Sequence, residues 1–262
     1  MGVIVFNGVS SADYGIVVEH FPDTSMPQRD YGKTHVTGRN GDIVTYAYSS
    51  FGNVERNYDV AVADKKYRFW ELADRISDFC HAGTGYCRLE DSYDPEHYRM
   101  AMFNESGDIT NILDHGARAT LTFDCKPERY LKIGEKTISY DVRDNEAIEY
   151  RFYNPTPYPA KPIIRLYSTG GGNAILKWTA NNLQSDFDIT LRDIANDWVE
   201  IDCEKETMYQ WLYGEKHWLN TRTTATTFPF FGKGENTFRF EKDGTEQLGI
   251  SKMEVIPRWW RL

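Results

Sequence analysis

The chain has 262 residues, 15% of them aromatic, and a formal net charge of −9. That length suits one large or two small domains, each able to bury a core. The acidic excess, −6 through Lys132 and −3 beyond it, leaves no basic stripe and so excludes a dedicated groove for nucleic acid or a sequence-specific nucleic-acid partner.

Val3 to Phe6 reads as a first strand and Tyr14 to Phe21 as a second, entered through the turn Ser10-Ser11-Ala12-Asp13. The opening run Met1-Gly2-Val3-Ile4-Val5-Phe6 lacks the basic segment and long apolar stretch of a signal peptide, and Phe6 breaks the myristoylation pattern. Next comes Val36-Thr37-Gly38-Arg39-Asn40-Gly41-Asp42. Asn40-Gly41 is suited to the positive φ angles of a tight primed turn, and Gly38 is a second permissive point. Strand-preferring residues flank it on both sides, so the stretch reads as a hairpin tip. Asn57 to Ala63 alternates, with Tyr58, Val60 and Val62 on one face.

Asp64 is placed to cap a helix over Lys65 to Cys80. Phe69, Leu72, Ala73, Ile76 and Phe79 form one apolar stripe that closes a core, and Gly83 falls near the position after the helix end. Strands follow at Tyr86 to Glu90, His97 to Asn104 and Ala117 to Cys125. The polar segment Glu128 to Asn145 sets the boundary. It gives a first domain over 1–132, a linker over 133–146 and a second domain over 147–262. One helix among strands makes the first domain α+β or mainly β.

The second part is strand after strand. Ala147 to Asn154, a Pro-rich turn to Pro159, Pro162 to Tyr167, the glycine run Gly170 to Gly172, and Ala174 to Trp178 come first. Alternation of Ile189 and Leu191 with Thr190 and Arg192, then Trp198 to Asp202, Phe238 to Glu241 and Met253 to Trp260 complete a β-sandwich or jelly roll. No internal repeat and no apolar run of transmembrane length appears. Cys80, Cys87, Cys125 and Cys203 show no Cys-x-x-Cys spacing and read as free, mostly buried thiols made in a reducing cytoplasm.

Chemistry-bearing patterns are missing. Asp91, Asp94, Glu96 and His97 form the densest polar cluster, read as a solvated loop rather than a cation site. No histidines pair at zinc spacing, no Gly-x-Ser-x-Gly elbow exists, and the glycine run lacks the lysine of a phosphate loop. The expectation is a protein that is not an enzyme, with no cofactor and no metal. Tyr209, Trp211, Tyr213 and Trp218 form the richest aromatic cluster, with Trp178 and Trp198 in neighbouring strands. Such rings fill a sandwich core, dock a protein partner or stack on sugars.

Several motifs, taken in order, resemble the distal tail protein (Dit) family of long-tailed phages. Phe6-Asn7-Gly8, Asp13-Tyr14-Gly15-Ile16 and the Gly38 to Asp42 hairpin begin the series, with Thr37 and Asn40 where the family has Pro and Asp. Lys161-Pro162-Ile163-Ile164, Ile175, Trp198-Val199-Glu200-Ile201-Asp202, Phe228-Pro229, Gly234-Glu235-Asn236 and the end Glu254 to Trp260 continue it. The resemblance implies a mainly β protein with one helix in its N-terminal, ring-forming domain and a C-terminal galectin-like β-sandwich. It implies a hexameric ring at the distal end of the virion tail, made in the bacterial host cytoplasm. That ring joins the major tail-tube protein to the tail-tip (tail-associated) protein and anchors receptor-binding proteins for host adhesion, with no membrane partner. Gly38, Arg39, Asn40, Gly41 and Asp42 are the candidate contact between copies, as a strand edge open to a neighbour. Trp178, Tyr209, Trp211, Tyr213 and Trp218 are the candidate glycan or partner surface. The alternatives are a carbohydrate-binding module on host cell-wall glycan, resting on that aromatic cluster, and a glycan-cleaving enzyme, resting only on abundant carboxylates.

Overall fold

Period-two alternation of apolar and polar residues builds nearly the whole chain. A computed structural model describes residues 2–262 apart from 24, 105–107, 113, 144–147, 170–171, 192–193, 195–197, 213–214 and 243–247, and only the backbone of 45–49 and 212. The fold is mainly β, with a single α-helix among the described residues. It divides into two compact units, Met1–Tyr130 with Leu262, and Leu131–Arg261. No described helix is long and apolar enough to cross a membrane.

The first unit contains β1 (Ile4–Phe6), β2 (Val9–Ser10), β3 (Ile16–Val18), β4 (Arg29–Thr34), β5 (Ile43–Phe51), β6 (Val54–Ala63), α1 (Phe69–Cys80), β7 (Cys87–Asp91), β8 (His97–Phe103), β9 (Thr110–Asn111) and β10 (Gly116–Leu131). Its main sheet runs β2-β1-β7-β8-β10-β6-β3, with β9 beside β10. The helix stripe Leu72, Ile76 and Phe79 packs with Ile4, Phe6, Tyr58 and Phe123, whose rings meet edge to face with centroids 5.1 Å (Phe6–Phe123) and 6.0 Å (Tyr58–Phe123) apart. The helix starts at Phe69 rather than Lys65. Asp64 instead accepts the Lys66 N–H at 2.9 Å and closes a turn, while Glu71 accepts the Arg68 N–H at 2.8 Å and starts the helix there. Gly83 is not the left-handed residue; Gly85, with φ 71°, takes that conformation. Gly83 is small for another reason: a Cβ would come within 2.7 Å of Cys87 Sγ.

β4 and β5 form a separate two-stranded arm. Thr34 pairs with Ile43, so the tip is an eight-residue loop, not a two-residue primed turn. The turn lies earlier than Asn40-Gly41. Arg39 N–H donates to Val36 O at 3.2 Å with Gly38 at φ 85°, the signature of a type II turn. Thr37 therefore sits where such turns favour proline. Gly41 has φ 79°, but Asn40 does not take a positive φ.

The second unit contains β11 (Ile138–Asp141), β12 (Glu149–Asn154), β13 (Ile163–Ser168), β14 (Asn173–Ala180), β15 (Leu183–Thr190), β16 (Trp198–Asp202), β17 (Thr207–Leu212), β18 (Glu215–Trp218), β19 (Gly234–Lys242), β20 (Ile250–Ile256) and β21 (Trp260–Arg261). One sheet runs β11-β20-β13-β16-β17-β18 and the other β12-β19-β14-β15. Both sheets line one apolar core, which makes a β-sandwich. The stretch 133–146 is not a plain linker. Ile138 to Asp141 pairs with β20, because Ile138 and Tyr140 pack against that core despite their polar neighbours. Two buried asparagines pin the turns. Asn154 accepts the Thr156 N–H at 2.9 Å and donates to Tyr158 O at 2.9 Å; Asn236 accepts the Gly232 N–H at 2.7 Å.

The four cysteines are free, with Cys87 half-buried and the others buried. Burial pushes the Cys80 thiol up to about 12, so it is inert at neutral pH.

Candidate functional site

Two surfaces carry the residues singled out in the sequence. The first is the β4–β5 arm. Every residue of the 35–42 tip is exposed, and no described side chain of 25–53 belongs to either core. The arm's base is tied down by Asn53, which donates to Asp124 at 2.9 Å. Along the arm, cations lie over rings: Lys33 Nζ is 4.6 Å from the Tyr31 ring centre and the Arg29 guanidinium is 5.1 Å from that of Phe51. At the tip, His35 Nδ1 and Asp42 Oδ1 are 3.4 Å apart. Arg29, Tyr31 and Phe51 were not legible as a set in the sequence, because only the pairing of β4 with β5 sets Arg29 beside Phe51.

The second surface is the outward face of the six-stranded sheet. In β17, Met208 points into the core, so Tyr209 and Trp211 point outward. Cross-strand register then aligns one rung over five strands: Glu254, Arg165, Glu200, Tyr209 and Trp218. Arg165 Nε donates to Glu200 Oε2 at 2.7 Å, and the Tyr209 hydroxyl donates to the other carboxylate oxygen. Burial and that carboxylate push the Tyr209 hydroxyl up to about 12, so it stays a donor. Trp211 and Trp218 remain 43% and 61% exposed. Lys216, missed in the sequence, completes the patch, its Nζ 4.1 Å from the Tyr209 ring centre and 5.4 and 5.8 Å from those of Trp211 and Trp218. The pairing of Trp211 with Lys216 brings it there.

The structure splits the predicted aromatic set. Trp178 is only 2% exposed and faces inward, its ring 4.8 Å from that of Phe230, so it is core and offers no surface. Strand parity decides this: Ala174, Leu176, Trp178 and Ala180 are the inward positions of β14. Tyr209 is mostly covered by its neighbours. Tyr213 lies outside the described residues, as do Ala147, Gly170, Gly171 and Arg192.

The polar cluster near Asp91 is also not a solvated loop. Asp91 accepts hydrogen bonds from the Tyr58 hydroxyl at 2.7 Å and from Arg56 at 3.2 Å, deep in the first unit. Among the described residues, no group of His, Cys, Asp and Glu is arranged to hold a metal ion.

This architecture, a β-sheet unit with one helix followed by a sandwich, is that of phage tail hub and baseplate proteins. A solved structure of the SPP1 Dit (gp 19.1) protein, described as a paradigm of the hub adsorption apparatus in phages infecting Gram-positive hosts, matches with a TM-score of 0.69 at 14% identity, over 97% of each chain. A chain of the phage P2 baseplate, activated with Ca, matches at 0.56 and 9% identity, over 97% of each chain. Its Sr-activated counterpart matches at 0.56 and 10% identity, over 97% of this chain and 96% of that one. The fold is thus the one the sequence resemblance implies. No protein-family model matches the chain, and no curated protein matches it.

Proposed function

We propose that this chain is a structural distal tail protein of a long-tailed phage or prophage, without enzymatic activity, cofactor or metal. In this reading six copies close into a ring at the distal end of the tail. The ring joins the tail tube to the tail-tip protein and carries receptor-binding proteins outside it. The observation that supports it is the correspondence of both units, in order, with a hub protein over 97% of each chain. The first domain, 1–132, forms the ring, and the arm with Gly38 to Asp42 reaches a neighbouring copy. A closed ring needs two different surfaces on each subunit, and an exposed arm supplies one of them. The sandwich, 147–262 with β11 added, is a separate folding unit.

Negative-stain electron microscopy of the purified protein tests this. Six-fold rings are expected. A protein that stays monomeric at high concentration and high salt would sink spontaneous ring formation.

One observation favours a second reading, glycan binding at the host surface: the exposed rings of Trp211 and Trp218 beside Lys216. A glycan array separates the two. Binding lost in Trp218→Ala adds adhesion to the structural role, and an empty array leaves the patch to a protein partner.

A further inference from the structure

The inner face of the first unit's main sheet changes character at one end. Inward positions that begin as Val60, Leu89 and Ala101 continue as Arg56, Asp91, Arg99 and His97. They border a cavity of about 200 Å³, which Arg129 and Asp94 also line. Phe21 and Tyr93, rings 5.0 Å apart, form one wall.

The charges in this cavity do not balance. Both oxygens of Asp91 are engaged, one by Arg56 and Tyr58, the other by the N–H groups of Tyr93 and Asp94, each at 2.9 Å. Asp94 meets His97 Nδ1 at 2.6 Å and Arg129 Nη1 at 3.4 Å. Arg99 is over nine-tenths buried, yet among the described residues no carboxylate pairs with it. Only its Nη1 is bonded, to the backbone oxygens of Lys126 at 3.5 Å and Pro127 at 3.2 Å. Arg129 Nε and His97 Nε2 are buried with no partner among the described residues. Three arginines thus stand against two aspartates. Burial, and then the nearby Arg129 and Arg56, pull the Arg99 guanidinium below its ordinary value. A buried cation without a counter-charge is costly, and so is a buried donor without an acceptor. The fork of a guanidinium matches an oxyanion, whether planar or tetrahedral.

We propose that this cavity binds an oxyanion, with Arg99 as its principal cation and the Arg129 guanidinium as a second. The shared chemistry fits a carboxylate or a free sulfate- or phosphate-sized ion. Thermal unfolding of the full chain in acetate, sulfate or inorganic phosphate, at ionic strength matched with chloride, tests it. Sulfate and phosphate strengthen burial in any protein, so the reading is the difference between wild type and variant. Wild type should show a saturable rise in midpoint that Arg99→Met loses and Arg129→Gln weakens. A response to acetate marks a carboxylate site, and one to sulfate or phosphate a tetrahedral ion. If Arg99→Met fails to fold, the less buried Arg129→Gln carries the comparison. Equal midpoints in all four salts, or the same anion dependence in wild type and both variants, would overturn the proposal.

Discussion

The β4–β5 arm and the β17–β18 hairpin are both exposed ribbons with cations laid over aromatic rings, but they are held in opposite ways. β17 pairs with β16 and sends Met208 into the sandwich core, so its outward rings stand on a fixed base. Among the described residues, the arm pairs with itself alone and sends no side chain into either core. A lone two-stranded ribbon is marginal in water. The outer hairpin is therefore preorganised by its own domain, whereas the described part of the arm draws no such support from a core. A rigid patch suits recognition, and an arm of this kind suits assembly.

The largest expected effect tests the anchoring. Met208→Ala should cost about 2–5 kcal/mol, because it leaves a cavity in a close-packed core. Val44→Ala, an equally simple truncation in the exposed arm, should stay within about 0.5 kcal/mol. Urea unfolding of both variants measures the contrast. Equal losses would mean that the arm has an apolar base of its own.

The next effect falls on assembly rather than stability. Gly41 has φ 79° with open space around it, so Gly41→Val strains only the backbone. Light scattering should show weaker self-association in the variant with its unfolding midpoint nearly unchanged. Residues 1–132 of each copy carry a net −6, so ring closure should strengthen as salt screens the repulsion. A folded variant that is as oligomeric as wild type would remove the tip from the interface.

A smaller effect follows from pH. The Lys252 hydrogen bond holds Glu254 below the usual carboxylate value, and Lys177 does the same for Glu241. For Asp202, burial pushes upward, and the bonds from Arg258 and Lys205 outweigh it. A carboxylate depressed in the folded state adds stability above its unfolded value and loses it as pH falls through the folded one. The sandwich should thus be level in stability near neutrality and weaken below about pH 4.5, modestly for Glu254 and Glu241, whose lysine partners are exposed, and more for the buried Asp202. Tryptophan fluorescence during unfolding at stepped pH checks the sign; a midpoint rising between pH 5 and 3 would contradict it.

How much of this was legible in the sequence differed between the two hairpins. Period-two alternation locates strands such as β6, β14 and β16, because inward positions must be apolar. Alternation also groups Trp178 with Ala174 and Leu176 against Lys177 and Thr179, but a tryptophan suits a binding face as well as a core, so it joined the surface candidates. Lys216, whose place depends on pairing across a turn, stayed out of sight. The arm's flanks were legible, but its turn was misplaced. Asn40-Gly41 has the right local chemistry, yet the loop had room to turn earlier, at Gly38. β11 was hidden by its polar neighbours, since one paired edge and two packed side chains suffice to hold a strand. The arginine cavity was least visible: Arg56, Asp91 and Arg99 come from three strands, and only the sheet brings them together.

The smallest expected effect lies within the outer patch itself. Lys216 sits over three rings, and an exposed cation–π contact is worth about 0.5–1 kcal/mol. Lys216→Gln keeps much of the stem that covers Tyr209 while removing the charge. If the patch is preorganised by the sheet beneath it, this variant should lose no more than that, with near-UV circular dichroism of the tryptophans unchanged. The same measurement on Lys33→Gln, whose charge lies over Tyr31 in the arm, should differ in kind. There no sheet holds the ring in place, so losing the cation should alter the aromatic signal of the isolated subunit even where the unfolding midpoint barely moves. Identical responses at the two sites would show that the arm is as firmly seated as the outer hairpin, and the division between an assembly arm and a recognition patch would then have no physical basis.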